Sequence, residues 1–251
     1  MQGRAGQSYF INILFIRIYF CIFIEKYVII IYIVFHIKIC VCVVTGIGDD
    51  SDDYDHCETA TSCNGLMVNI FDFAIESSQV PFTVKDILMV GVHGGYALAA
   101  VESWMGATNY TYDIVLNENI SSVSFFEYKV LYIPSDDAMT GGGIECAEVD
   151  LLRTRTADIA NYVNSISGSL IALNQHNCEN AWTWLPMALE FETTNLAELT
   201  IQPTFLSVVD TLNATSLDHC CYHTKFIGPE SYGGLLVLAT GDFFVYIIRY
   251  F

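Results

Sequence analysis

Residues that could do chemistry follow three apolar runs, at 86–92, 128–134 and 169–173. Each run has the length of a buried β-strand and ends in a loop of polar residues or glycines. In an open parallel sheet the loops beyond the carboxyl ends of the strands line the ligand crevice, so we expect these loops to converge. The candidate ligand-binding residues in them are His93, Asp136, Gly141, Gly142, Gly143, Gln175 and His176.

The first two loops also have structural explanations. The sequence His93-Gly94-Gly95 allows either close approach of the backbone to a ligand or a tight turn from strand to helix. Asp136 could bind a cation or cap the helix that follows it. The glycines do not form the GxGxxG pattern of dinucleotide sites, so we expect no cofactor.

Two further residue pairs have both a functional and a structural interpretation. His219 and His223 are four residues apart and would share one face of a helix, where Asp218 or a cysteine could complete a metal site. The alternative is that both histidines are structural or lie on the surface. Trp182 and Trp184 could stack on a sugar, or they could belong to the core.

Strand and helix patterns alternate from Lys85 onward. A strand pattern at 112–116 and a helix pattern at 96–105 lie between the apolar runs. A second helix is predicted at 144–165, where apolar residues recur with a period near 3.6. This alternation predicts an α/β fold in which parallel strands are joined by right-handed crossovers.

Two of these segments resemble the class I glutamine amidotransferase-like superfamily. The stretch VLYIPSD followed by TGGG (130–143) is similar to its strand and glycine-rich loop, and DIANYVNSISGSLIALNQ (158–175) is similar to its next helix and nucleophile-bearing strand. The resemblance covers about residues 84–180 and extends less closely to 226–242. It implies a three-layer flavodoxin-like parallel sheet with helices on both faces, which here would follow an apolar N-terminal helix.

The resemblance also bears on catalysis. Catalytic members of the superfamily carry a nucleophilic cysteine at the turn after this strand and use a downstream histidine as its base. Matching the strands places Gln175 at the position of the cysteine, and glutamine is not a nucleophile. The domain is therefore expected to lack glutaminase chemistry. The remaining catalytic candidates are Cys178, three residues later, and His223 as the downstream histidine.

Charge and hydrophobicity divide the chain at about residue 46. The first 46 residues hold four of the ten Lys and Arg but only one of the 28 acids, and 9–44 is almost entirely apolar. This composition predicts a signal peptide or a membrane anchor at 1–46. The rest of the chain holds 27 acids, so its surface repels polyanions and we expect no nucleic-acid partner.

The remaining chain has three predicted parts. Residues 47–83 begin with acidic and polar text and are predicted to be a linker or extension. The amidotransferase-like domain is expected at 84–242. The apolar tail at 243–251 is either a truncated domain end or an edge strand.

Cysteines and glycosylation motifs fit an exported protein. Six cysteines remain after residue 46, and an even number permits disulfides in an oxidising compartment. The predicted local bridge joins Cys57 and Cys63. Glycosylation motifs begin at Asn109, Asn119 and Asn213. We therefore expect a secreted, extracellular or membrane-anchored protein.

Two functions remain open from the sequence. The first is a binding or structural module that lacks the nucleophile and holds a glycan or protein ligand in its rim loops. The alternative is a hydrolase or transferase that uses Cys178 with His223, or a metal at His219 and His223.

Overall fold

The computed structural model of the chain contains two units, Met1–Ile39 and Cys40–Phe251. The residues that the structure describes are 17–24, 27–34, 42–46, 52, 61–81, 85–173, 177–179, 181–185, 190–196, 200–201, 222–227, 239–240, 244–245 and 248–250.

The first unit contains a β-hairpin. Strand β1 (Arg17–Ile24) pairs antiparallel with β2 (Tyr27–Val34). The prediction of an apolar N-terminal helix is therefore wrong for these residues. Isoleucine, valine, tyrosine and phenylalanine dominate both segments, and branched and aromatic side chains favour strands. Among the helices in the described part of the chain, none is long and apolar enough to span a bilayer.

The second unit alternates strands with helices along most of its length. Its elements in chain order are β3 (Cys42–Gly46), α1 (Thr61–Ser77), β4 (Lys85–Val90), α2 (Gly95–Ala107), β5 (Tyr112–Val115), two 3-10 turns (Asn117–Ser121 and Phe125–Glu127), β6 (Tyr128–Ile133), α3 (Asp137–Thr140), α4 (Cys146–Thr154), α5 (Thr156–Asn164), β7 (Ser169–Ala172), β8 (Glu190–Leu196), β9 (Thr200–Ile201), β10 (Tyr222–Ile227), β11 (Ala239–Thr240), β12 (Phe244–Val245) and β13 (Ile248–Tyr250).

The main sheet is parallel apart from one edge strand. Strands β4 to β7 are all parallel and lie in the order β5-β4-β6-β7. Strand β3 extends the sheet in parallel beside β7, and β13 pairs antiparallel with β3 at the edge. The predicted α/β class and parallel pairing are confirmed. Strands β8 and β10 form one small antiparallel sheet, and β9, β11 and β12 form another.

Apolar side chains of the main sheet divide between two hydrophobic clusters. Alternate residues of a strand point to opposite faces, and neighbouring residues such as Leu131 and Tyr132 accordingly belong to different clusters. One cluster includes residues of α4 and α5, and the other includes residues of α1 and α2. Strands β4, β6 and β7 are thus apolar on both sides, which explains their largely apolar sequences.

Helix α1 lies within the segment predicted to be a linker or extension, 47–83. Its residues Leu66, Met67, Ile70, Phe71 and Ala74 are buried in the core. They recur at helical spacing and form one apolar stripe. Acidic residues precede the helix, so the overall composition of 47–83 does not reveal this apolar stripe.

The helix predicted at 144–165 is divided at Arg155 into α4 and α5. The guanidinium group of Arg155 turns inward, where Nη1 donates to the carbonyl oxygens of Ile120 and Val123 at 2.8 and 2.6 Å. It also lies 3.8 Å from the centre of the Phe125 ring. These contacts anchor the break and satisfy a largely buried charge.

Candidate functional site

The loops after β4 and β6 pack directly on each other. The backbone N–H of His93 donates to the carbonyl oxygen of Gly142 at 2.7 Å, and that of Tyr96 donates to Gly141 at 3.0 Å. The predicted convergence of these two loops is confirmed. Because β4 and β6 are neighbours in the sheet and the chain departs from them toward opposite edges, the loops meet where the strand order reverses.

Glycines make this contact between loops possible. Gly142 has φ +93°, and a Cβ atom there would collide with the carbonyl group of Gly94. Gly95 has φ +54°, and a Cβ atom there would collide with the carbonyl oxygen of Gly141. Both the turn and the close approach suggested by the sequence are thus present, and the partner in the close approach is the other loop.

The loop after β7 is attached at two points. The backbone N–H of Asn177 donates to Oδ2 of Asp136 at 2.9 Å. A disulfide joins Cys178 to Cys146, the first residue of α4, with the Cα atoms 5.2 Å apart. Gln175 and His176, which were predicted to bind ligand, lie outside the described residues.

Asp136 has a structural contact in place of the predicted helix cap. It occupies the position before α3, but its side chain does not cap that helix. The side chain is buried, and its carboxylate binds the backbone of the third loop through Asn177. The neighbouring Asp137 accepts a hydrogen bond from the backbone N–H of Gly142 at 2.6 Å. These two acids hold the loop after β6 and the loop after β7 in position.

A buried carboxylate, Glu148, connects the loops after β4 and β5. Its Oε2 lies 2.7 Å from Nε2 of His93, and its Oε1 accepts the backbone N–H of Asn117 at 2.7 Å. Oε2 also accepts the backbone N–H of Glu145 at 3.1 Å, within a reciprocal capping box at the start of α4. The Glu148 side chain is 1% exposed, whereas that of His93 is 21% exposed. His93 therefore reaches solvent from a ring held by a buried anion.

A second buried carboxylate, Asp52, supports the loop after β6. It accepts hydrogen bonds from the Tyr132 hydroxyl at 3.0 Å, from the Ser135 N–H at 2.8 Å and from the Ser135 hydroxyl at 2.5 Å. The Thr140 hydroxyl lies 3.5 Å away. Asp52 is fully buried, so at this residue the acidic segment is part of the core and not an exposed linker.

The catalytic candidates Cys178 and His223 lie in different parts of the fold, one after β7 and the other in β10. Cys178 is bonded to Cys146 and has no free thiol in this form. His223 lies in β10, so the helical spacing proposed for His219 and His223 does not apply to it. His219 lies outside the described residues. Among the described residues, no group of three or more His, Cys, Asp or Glu could hold a metal ion.

The two tryptophans belong to the core. Trp182 and Trp184 are buried, and their rings stack with centroids 6.4 Å apart. The core alternative is confirmed, and the sugar platform is wrong for these residues.

The other predicted modification sites are only partly described. Asn109 and Asn119 are exposed, whereas Asn213 lies outside the described residues. Cys57 lies outside them too, and the side chain of Cys63, in α1, is not described.

Sequence reasoning missed three residues that organise this region: Cys146, Glu148 and Asp52. A signal was available for Glu148, because Glu145 and Glu148 have the spacing of a capping box. The Cys146–Cys178 bridge has a sequence separation of 32, and long-range cysteine pairing cannot be deduced from one sequence. Nothing in the acidic text distinguished Asp52 from its neighbours.

Comparisons of the chain with protein-family models, with curated proteins and with solved structures give no match. The functional interpretation consequently depends on the geometry of the loops.

Proposed function

We propose that residues 84–242 form a class I glutamine amidotransferase-like domain that binds a ligand, a glycan or another protein, without glutaminase chemistry. The order β5-β4-β6-β7 supports a flavodoxin-like fold. Numbered from β4, it reads 2-1-3-4, which is the beginning of the flavodoxin-like order 2-1-3-4-5. The two hydrophobic clusters, each with its own pair of helices, support a three-layer arrangement.

The observation that carries the proposal is the meeting of the loops after β4 and β6 where the strand order reverses. Ligands of open α/β sheets bind in the crevice at this point. The rim of the crevice includes the imidazole of His93 and the ring of Tyr96, which is 45% exposed. An exposed aromatic ring beside a polar group is suited to packing against a sugar or a protein side chain.

The absence of glutaminase chemistry is supported by the cysteines and by the sequence match. In the sequence match, Gln175 falls where catalytic members of the superfamily carry the nucleophilic cysteine. The nearest alternative thiol, Cys178, is consumed by the bridge to Cys146. No observation in the described part of the chain favours the alternative hydrolase or transferase built on Cys178 and His223.

We also propose that the protein is secreted or membrane-anchored. The bridge between Cys146 and Cys178 supports an oxidising compartment. Asn109 and Asn119 are both exposed, as glycosylation by the secretory route requires.

Two exposed hydrophobic residues provide a matched test of the binding function. Tyr96 lies at the crevice, whereas Ile114, which is 38% exposed, lies on β5. The folded chain and the variants Tyr96→Ala and Ile114→Ala would be applied to a glycan array and to an array of extracellular proteins. We expect Tyr96→Ala to weaken binding at least about tenfold, the loss of one well-packed aromatic contact, and Ile114→Ala to leave it unchanged.

Either of two results would contradict this function. The first is equal binding by both variants, or none by the wild-type chain, because the crevice would then not be the binding site. The second is release of ammonia from L-glutamine that disappears in Cys178→Ser.

A further inference from the structure

The hydrogen bonds of Glu148 indicate which ring nitrogen of His93 carries a proton. Two of its three bonds come from the backbone N–H groups of Asn117 and Glu145, which can only donate. Both oxygens of Glu148 therefore act as acceptors, which is the role of an ionised carboxylate. The tautomer of His93 in which Nε2 carries a proton and donates it to Oε2, 2.7 Å away, completes these contacts.

This arrangement leaves Nδ1 as the second polar atom of the His93 ring. Within the described part of the chain, Nδ1 has no hydrogen-bond partner, and the side chain is 21% exposed at the crevice. In the neutral ring the proton sits on Nε2, so Nδ1 presents a lone pair. A buried carboxylate that fixes one nitrogen and frees the other is the arrangement that orients a general base.

Among the described residues, the side chains of Ser135, Thr140 and Cys178, which follow β6 and β7, are already engaged. The hydroxyl groups of Ser135 and Thr140 are buried and directed to Asp52. Cys178 is bonded to Cys146. A base at His93 would therefore act on a water molecule and not on a protein hydroxyl or thiol.

The start of α2 adds a favourable field. This helix of 13 residues begins two residues after His93 and has no acidic residue in its first turn. Its capping residue, Gly94, offers no side-chain acceptor. The positive end of the helix dipole would favour negative charge that develops next to His93.

We propose that His93 is a general base and Glu148 its positioning residue in a water-dependent site that hydrolyses carboxylic esters. This inference rests on the proposed function, in that the crevice must admit a ligand. Nδ1 takes a proton from water while the water oxygen bonds to the ester carbonyl carbon, whose π electrons move to its oxygen. The carbonyl then reforms as the C–O bond breaks, and Nδ1 returns the proton to the leaving alkoxide. The products are a carboxylic acid and an alcohol.

The kinetic test uses p-nitrophenyl acetate and the oxidised full-length chain. We expect His93→Gln to lower kcat/KM about 100-fold, the usual contribution of a positioned base, while the control Glu102→Gln, at an exposed residue of α2, does not. Equal rates for His93→Gln and the wild type, or an acetyl group retained on His93, would overturn the proposal.

The role of Glu148 needs a readout that a purely structural contact would not change. Glu148→Asp keeps the charge but withdraws the carboxylate by one methylene group. We expect kcat to fall about 10- to 100-fold with KM unchanged, and the exposed control Glu118→Asp to have no effect. Nitrogen-15 NMR at alkaline pH should show His93 protonated on Nε2 in the wild type. Protonation on Nδ1 would contradict the mechanism even if both variants failed to fold.

A ketone probe separates failure of this proposal from failure of the proposed function. In 4-nitrophenylacetone a methylene group replaces the ester oxygen, so the compound can bind without being hydrolysed. Shifts of the Gly94 and Gly141 amide signals, without ester hydrolysis, would contradict the role of His93 as a general base. They would still support ligand binding in the crevice. No shift of these signals and no hydrolysis would overturn the ester hydrolase, and the proposed function would fail as well only if the wild-type chain also bound nothing on the glycan and protein arrays.

Discussion

At the scale of single residues, glycines and buried acids build the crevice. The glycines allow the two loops to touch through their backbones, and Glu148 and Asp52 accept the hydrogen bonds that hold the loops in place. Burying a carboxylate is costly unless its oxygens are hydrogen-bonded, so the several donors around each acid are a condition of its stability. The side chain of His93, the proposed base, is held by the buried carboxylate of Glu148.

Gly142 provides the clearest single-residue prediction. In Gly142→Ala the new Cβ would meet the carbonyl of Gly94 at a backbone with φ +93°. We expect a loss of about 2–4 kcal/mol in the free energy of unfolding, from the overlap and the backbone strain together. Urea denaturation measures the change.

Gly106→Ala is the matched control. Gly106 lies in α2, and a Cβ there would have no neighbour within 4 Å. We expect a gain of about 0.5–1 kcal/mol from reduced backbone freedom. A Gly142→Ala protein as stable as the wild type would show that the loops are not in contact.

At the scale of elements, the sequence predicted the main strands and most helices because their apolar patterns are local. Residues 87–90 and 170–173 are apolar throughout because both faces of the strands are covered. Local apolar patterns could not locate the break at Arg155, because it depends on carbonyl groups more than 30 residues away in the chain. Nor could it identify the partner of Cys178.

A charged cluster joins three adjacent strands, β4, β5 and β6. Lys85 donates to Asp113 Oδ1 at 2.5 Å, and the Tyr128 hydroxyl donates to Oδ2 at 3.0 Å. The hydrogen bond from Lys85 holds the pKa of Asp113 below its usual 3.8, desolvation opposes this effect, and the bond from Tyr128 adds to it. Burial, together with the nearby Asp113, raises the pKa of Tyr128 to about 12.

The lowered pKa of Asp113 predicts a pH dependence of stability. Its contribution is complete above the unfolded-state pKa and is lost as the pH falls through the lower folded-state pKa, that is, below about 4. Because the Asp113 side chain is 37% exposed, we expect no more than about 1 kcal/mol. In Asp113→Asn the urea midpoint should fall less steeply below pH 4 than in the wild type.

Asp150→Asn is the control for this comparison, since Asp150 is 63% exposed and its ion pair among the described residues is with Arg153 on its own helix. It should retain the wild-type pH dependence. If Asp113→Asn retained it too, the cluster would not link the strands in solution.

At the scale of the whole molecule, the boundary of the folded unit differs from the boundary that composition predicts. Charge and hydrophobicity change at about residue 46, whereas β3 (Cys42–Gly46) is paired in the main sheet between β7 and β13. Composition could not reveal that β3 belongs to the main sheet, because a buried strand and the end of an exported hydrophobic segment have similar sequences.

We therefore expect a mature exported protein to retain Cys42–Gly46. Cleavage at Thr45 or Gly46 would remove most of a strand that hydrogen-bonds on both sides. Mass spectrometry of protein from a eukaryotic secretory host should show a first residue at or before Cys42 and glycans at Asn109 and Asn119. The variants Asn109→Gln and Asn119→Gln should each lack one glycan. A folded mature chain that begins at Gly46 would show that β3 is dispensable.

The meeting of the loops at one end of the parallel sheet is tested most directly by a non-reducing peptide map of the oxidised protein. Cys146 begins α4 and Cys178 follows β7, so they can pair only if these segments lie side by side. We expect one linked pair of peptides that contains these two cysteines and separates on reduction. Cys178 joined to Cys57, Cys63, Cys220 or Cys221, or recovered as a free thiol, would contradict the arrangement of the crevice.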